Sequence, residues 1–500
     1  MKDSRPMKPS CEKPGGRREH SPPGPAKNLW EHYRRQDLTI SPGVATKRGS
    51  GALHHSEGTM RIGICLSILL AVLLFWVPLS HAQHVHTVTT GVTLSGTYSD
   101  NISATAGDTR QFGFYSEIQP WLRYDREGKR GQLGLSYEPS FRYYFEDEDH
   151  FIGHRLNFTA DHLLREHLTA RFSNSFRVSQ DPYDILEPGF IRIEEDLIII
   201  EDPTLRTGRR TYYTNHLRPS LSYQFGPSNR LNLGYSFSFL INEDPQVEDN
   251  MRHRPDMSLE YWWNVKYGTV LSAAYTRGEF DDSPSLNEYR ANARFLRRLT
   301  PNLNVFVEHG QTYVRYDQNN GGENGRRDYR DYEVFDANLG FDYQLTPSTF
   351  MAIRGGYFYQ QESSRDSTSG FQVDGDMARQ FQRGSLRISG GTGYDLAAFG
   401  AENLGFTKYY RGMVMGRYDF TRRCSGSAAF QYRRNTYEVE DREDDVYTLN
   451  TGLSYVFRPW LTGRISYVYR MTESTDPGQD YRENRVSVSL TATPTRIFRF

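Results

Sequence analysis

Leu231-Asn232-Leu233-Gly234-Tyr235-Ser236-Phe237-Ser238-Phe239 puts a large apolar side chain at every second position and Asn, Gly or Ser between them. Successive side chains of a strand point to opposite faces, so this stretch predicts a strand with one oily and one polar surface. The period recurs in both directions. Upstream, Leu133, Leu135, Tyr137, Phe141, Tyr143 and Phe145 alternate with Gln132, Gly134, Ser136, Glu138, Ser140 and Arg142. Downstream, Tyr447, Leu449, Leu453, Tyr455 and Phe457 oppose Thr448, Asn450, Gly452 and Ser454. Their partner run sets Leu461, Ile465, Tyr467 and Tyr469 against Thr462, Arg464, Ser466 and Arg470.

Alternation alone also fits a soluble sandwich. Three features favour a membrane. The breaks between runs alternate between a tight turn and a longer, often acidic loop. The chain ends on an aromatic, Phe500. A secretory signal precedes the first run. A bilayer offers no water to unpaired backbone groups, so a spanning sheet has to close on itself. The expected fold is therefore all-β: a closed antiparallel up-and-down transmembrane β-barrel of 18–20 strands, with residues 83–500 as the barrel. Twenty runs can be counted, the least regular being Phe371–Phe381, where Asp374 and Asp376 suit a loop as well as a strand.

Composition agrees. Hydrophobic residues make up 37% of the 500-residue chain and aromatics 14%. Mean hydropathy is −0.70. So polar a chain would be disordered if it were poor in aromatics, but this one is rich in them. A barrel needs only one apolar face per strand and gathers aromatics into girdles at both interfaces. The net charge of −1 excludes the basic patch expected of a nucleic-acid binder.

Met60, Arg61, the apolar run Ile62–Val77 and Ser80-His81-Ala82 have the layout of a signal peptide cleaved after Ala82. The run is shorter than the ~20 residues of a spanning helix. Residues 60–82 are thus expected to be removed. Residues 1–59, rich in Pro, Gly and basic side chains, are expected to be disordered and to lie upstream of the true start at Met60. Of three cysteines only Cys424 would then remain, which leaves no disulfide framework.

Short turns at such places as Asp125–Gly131 and Thr421–Cys424 should face the periplasm, and longer segments such as 180–210 and 438–445 the outside. The acidic loop Glu146–Asp149 could hold a divalent ion against lipopolysaccharide, although solubilising charge is the simpler reading. By alternation, Arg142, Arg411, Arg417, Arg433, Arg464 and Arg470, with Glu138 and Asp419, face the lumen. Arginine rings bias a pore toward anions, whereas lumen Arg–Glu pairs simply brace a wall. The long loop 180–210 carries Glu194, Glu195 and Asp196 ahead of an apolar run and could fold inward as a constriction. Gly390, Gly391 and Gly393 are expected to permit strand bending or aromatic packing.

The first mature strand, Gly91 to Ile102, together with Phe141-Arg142-Tyr143-Tyr144-Phe145, the stretch Glu402 to Gly412 and Asn484 to Leu490, resembles the putative beta-barrel porin family of Gram-negative bacteria over most of residues 85–500. That resemblance implies an outer-membrane location and an association with exosortase or exopolysaccharide gene clusters. It carries over no catalytic residue. The chain shows no phosphate-binding loop, zinc-protease or nucleophile-elbow motif and calls for no cofactor or metal. The expected function is a pore or channel, with polysaccharide export or surface-protein sorting as its setting. The alternative is a non-conducting structural or adhesive barrel, and a barrel enzyme comes third. Expected partners are outer-membrane lipid and lipopolysaccharide, the barrel-assembly machinery reading Phe500, and export or sorting components; nucleic acid is not among them.

Overall fold

A computed structural model describes residues 85–103, 105–106, 110–181, 208–244, 247–281, 283–317, 329–362, 367–396, 405–438, 442–494 and 498–499. The leader, the preceding segment, Glu194, Glu195, Asp196 and Phe500 lie outside these residues.

The described chain forms one sheet. Its first half comprises β1 (Val85–Ser99), β2 (Gly113–Gly128), β3 (Gly131–Tyr144), β4 (Asp149–Arg165), β5 (Leu168–Ser179), β6 (Tyr212–Gln224), β7 (Arg230–Asn242), β8 (Asn250–Trp262), β9 (Tyr267–Phe280) and β10 (Leu286–Thr300). Its second half comprises β11 (Leu303–Tyr316), β12 (Tyr332–Thr346), β13 (Thr349–Glu362), β14 (Thr368–Phe381), β15 (Gly384–Asp395), β16 (Thr407–Asp419), β17 (Cys424–Tyr437), β18 (Arg442–Arg458), β19 (Leu461–Ser474) and β20 (Tyr481–Ala492). A two-residue β21 (Phe498–Arg499) follows.

Each strand pairs antiparallel with the next, and β1 closes on β20 along Val92–Ser99 opposite Arg485–Ala492. The barrel therefore has 20 wall strands, the higher of the two expected counts. Phe371–Phe381 is a true strand, β14, extended to Thr368. Pro494 follows β20, and the ladder resumes at β21, where Phe498 and Arg499 meet Val88 and Thr87 of β1. Cys424 opens β17 as a free thiol.

Wall strands run 12 to 17 residues, longer than the ~9–11 a tilted strand needs to span. The wall thus stands proud of the bilayer. Boundaries shift from the sequence reading in places: Asp125–Gly128, expected in a short turn, end β2, and residues 442–445, expected in the acidic loop, begin β18. There Arg434 pairs with Glu443, and Arg442 meets Asp444 at 2.5 Å. Internal ion pairing lets charged residues continue a ladder that composition alone would end.

Large apolar side chains stand exposed on alternate positions: Val307 at 63%, Leu339 at 69% and Phe371 at 74%. Their exposure fixes which face meets lipid, and their neighbours Glu308, Asn338 and Gln372 then point inward. Near the short turns, Tyr223, Phe225, Tyr261 and Trp263 stack in a row with centroids 5.0–6.4 Å apart, and Tyr455 meets Phe457 at 5.0 Å. These make the interfacial girdle.

Ile388 and Ser389 on β15 test the facing directly, since Ile388 meets lipid and Ser389 lies opposite Asp376 on the inner face. An arginine at a midplane lipid-facing site costs about 2–4 kcal/mol. Ile388→Arg should therefore lower the folded fraction on heat-modifiable gels sharply, whereas Ser389→Arg, with an acid within reach, should fold nearly normally. Equal tolerance would mean that the faces are inverted.

Candidate functional site: the arginine-lined lumen

Strand alternation carries all eight pore-lining candidates to the inner face. Arg142 (β3) lies 3.2 Å from Glu117 (β2) and over the Tyr115 ring, 4.8 Å from its centroid. Glu138 meets Arg155 at 3.5 Å, Arg433 meets Asp395 at 2.5 Å, and Arg470 meets Glu483 at 3.6 Å. Arg417 and Asp419 form an exposed pair at 3.5 Å beside a short turn, and Arg464 is exposed to the lumen.

Arg411 belongs to a longer chain of charges across the wall. Arg294 (β10) meets Glu308 (β11) at 2.5 Å, and Glu308 meets Arg354 (β13) at 3.2 Å. Arg354 reaches Asp374 (β14) at 2.5 Å, and Asp374 reaches Arg411 (β16) at 3.0 Å. The last pair spans β15, which Gly391 makes possible. A Cβ there would lie 2.5 Å from the Asp374 carboxylate oxygen Oδ1. Gly391 thus clears room for an ion pair rather than for bending. Gly393 is nearer the expectation, since its absent side chain leaves space 3.4 Å from the Tyr409 hydroxyl.

At the end that carries the long connections, two clusters fill part of the lumen. One is charged and sits on the β1–β20 seam. Glu483, 1% exposed, accepts from Ser99 and from Arg485 Nε at 2.8 Å each and from the Tyr481 hydroxyl at 3.1 Å. Arg485 also donates to Asp181, just beyond β5, while the Tyr212 hydroxyl donates to the Asp181 carbonyl at 2.9 Å. The strand carrying Arg485 is separated around the wall from β5 by β1 to β4, so the base of the 180–210 loop leans inward to meet it. At the other end of that loop Arg209 lies over the Tyr144 ring at 3.7 Å and holds Asp147 at 2.7 Å. Glu146 accepts the Phe114 N–H at 2.8 Å. Glu146, Asp147 and Asp149 of this loop are thus engaged internally.

Burial opposes ionisation of Asp181, but Arg485 and then Arg470 outweigh it and hold the carboxyl well below its usual range. A depressed carboxylate stabilises the fold above the unfolded-state value near 3.9 and loses that contribution only as pH falls through the folded value.

The second cluster is apolar. Phe280, Leu286, Val314, Tyr316, Tyr332, Val334 and Phe358, all on inward positions of β9 to β13, pack with Leu396 and Phe406, which flank β15 and β16. Beyond Thr392, β15 stops pairing with β14. Tyr394 then bonds Asp336 at 3.1 Å, and the Tyr332 hydroxyl donates to the Leu396 carbonyl. The β15–β16 connection therefore enters the lumen at both described ends. Gly405, at φ +65°, takes the left-handed turn leading to Phe406.

Sequence reasoning singled out Arg residues and missed the acids that hold them: Glu117, Glu308, Asp374, Asp395 and Glu483. Their phase on the strands was available as a signal. The apolar cluster broke that phase, because Val334 and Phe335 are both apolar and only one faces lipid.

A closed barrel with a lipid-facing apolar surface and a charged lumen defines a porin-type outer-membrane protein. Residues 271–493 match the family described as "Putative beta-barrel porin 2", a match that with the closed barrel places the chain in the outer membrane of Gram-negative bacteria. No curated protein matches the chain. Among solved structures, the outer membrane protein opdK of Pseudomonas aeruginosa is 12% identical, with 81% of this chain and 99% of that one covered at a TM-score of 0.36. OccAB2 of Acinetobacter baumannii is 12% identical over 81% and 98% at 0.37, and the siderophore receptor PirA of the same species 8% identical over 81% and 80% at 0.43.

Glu483→Ala should leave Arg485 and Arg470 short of a buried acceptor, a loss on the order of 3–5 kcal/mol, visible as a lower urea midpoint in detergent. Asp181→Asn should be destabilising too. Because the wild-type carboxylate stays ionised, its deficit should be the same at pH 7 and pH 5. A deficit that vanishes by pH 5 would mean that burial wins and the Asp181 carboxyl titrates above its usual range.

Proposed function

We propose that the protein is a solute-selective outer-membrane pore biased toward anions. The observation that carries this reading is the set of arginines on the lumen face, among them Arg142, Arg294, Arg354, Arg411 and Arg470. Arginine keeps its charge at any physiological pH and forks onto carboxylate or phosphate. The family is one of porins, and we assign no reaction. The polymer setting implied by the resemblance, polysaccharide export or surface-protein sorting, is part of this proposal at the level of cargo. An acidic polysaccharide is the class such a lining would accept. Lipopolysaccharide and the assembly machinery, reading Phe500, remain the proposed partners.

The 180–210 loop is proposed as a constriction carrying Glu194, Glu195 and Asp196. The inward lean of its base at Asp181 and Arg209 supports this. A second reading, a non-conducting structural or adhesive barrel, is favoured by the buried apolar cluster at the mouth.

Planar-bilayer recording separates the two. The pore reading expects discrete channels that favour chloride over potassium. Deleting residues 186–202 should raise conductance and strengthen the anion preference, because acids leave while the lumen arginines stay. The shift should weaken at 1 M salt, where the Debye length is about 3 Å. Silence from both intact and deleted barrels would establish the structural reading.

A further inference from the structure

Arg254 (β8) and Arg290 (β10) stand on inward positions on either side of β9. Arg252 lies on the same inward row, within electrostatic reach of Arg254. The intervening strand presents only Ala274, Thr276 and Gly278, opposite Arg290, Glu288 and Leu286 respectively. Thr276 is nonetheless 3% exposed, so longer neighbours cover it. Pro255 interrupts the β8–β9 ladder between His253 and Asp256, at the level of Arg254.

The acids of this region are already taken. Glu288 meets Arg290 at 3.2 Å, Asp256 faces Arg218 at 3.9 Å, and Asp395 is held by Arg433 at 2.5 Å. Arg254 makes no hydrogen bond or ion pair among the described residues, and the Nε atoms of Arg254 and Arg290 are buried without an acceptor. Elsewhere on the wall Arg294, Arg354, Arg411 and Arg433 each hold a carboxylate, as Arg290 holds Glu288, whereas Arg254 holds none among the described residues. Adjacent guanidiniums with buried, unanswered N–H donors carry both Coulomb repulsion and desolvation cost. One small anion relieves both.

We infer that Arg254 and Arg290 form an anion-binding station in the lumen for a compact solute bearing a carboxylate or phosphoryl group. The station lies beside Tyr332 and Tyr394, members of the apolar cluster. The planar fork of each guanidinium suits the two oxygens of either group. Its part in permeation rests on the pore reading, but binding itself does not.

Titration calorimetry of the folded, detergent-solubilised full chain at low salt, with inorganic phosphate and separately with succinate, tests the site. Saturable binding is expected for at least one probe, weakened at least fivefold by Arg254→Gln. Arg171→Gln removes an equal lumen charge, paired with Asp161 at 3.2 Å on β5, and should change affinity less than twofold. Which probe binds more tightly assigns carboxylate or phosphoryl. Absence of saturable binding, binding that survives Arg254→Gln in a barrel with normal heat-modifiability, or an equal loss in Arg171→Gln would overturn the proposal. A barrel that binds but carries no current retains the station and refutes the pore; one that conducts without binding does the reverse.

Discussion

Every feature of this protein follows from the cost of an unpaired backbone group in hydrocarbon. Each such group costs several kcal/mol, so the sheet has no tolerable edge. The β1–β20 seam is therefore the join on which the whole wall depends. It pairs strands from opposite ends of the chain, with Thr97 and Ser487 hydroxyls 2.9 Å apart across it, and β21 extends it along β1. At its long-loop end Glu483 ties Ser99 of β1 to Arg485 of its own strand. A buried ion network is weak evidence of net stability. Here it supplies register: a one-residue slip would turn Glu483 to lipid.

Closure has a second consequence. A barrel of this strand number is too wide for its lumen to be filled by wall side chains alone. The lower wall is lined by charge, the end with the long connections by packed clusters. The two clusters solve the filling problem differently. On the seam side, charged side chains engage the ends of the 180–210 loop. On the far side, Leu286, Val314 and Val334, each at most 1% exposed, turn inward and require an apolar cover. Leu396 and Phe406 provide it. An apolar side chain on a lumen wall is stable only when something covers it, so the inward placement of Leu396 and Phe406 answers the residues on β10 to β12.

Much of the wall was legible in the sequence because a strand in a bilayer has to alternate. Leu233, Tyr235 and Ser236 could be assigned faces from period alone, and the tight turns announced themselves. The mouth was not legible in the same way. Where the wall rises beyond the hydrocarbon, lipid no longer selects which residues are apolar, and Val334-Phe335 reads as a break in phase. The arginines of the lumen stood out by type. Their carboxylates did not, because Asp374 pairs with Arg354 and Arg411 from two different strands, a relation that exists only once the register is set. Gly391 was visible as a glycine, yet its purpose depends on the charges that pass over it.

The distribution of partners around the lumen carries the remaining argument. A wall braced purely for stability has no reason to leave guanidiniums unanswered, because each costs desolvation without return. From Arg294 to Arg411 the wall is braced, acid alternating with base across glycine-cleared positions. Beside it, among the described residues, Arg254 holds no carboxylate and Arg290 shares only Glu288, and each keeps its Nε donor buried without an acceptor. Both arrangements lie on one inward face of one sheet. The difference between them is therefore set by which side chains are present, and the unbalanced stretch is where a mobile negative charge would lower the energy of the barrel.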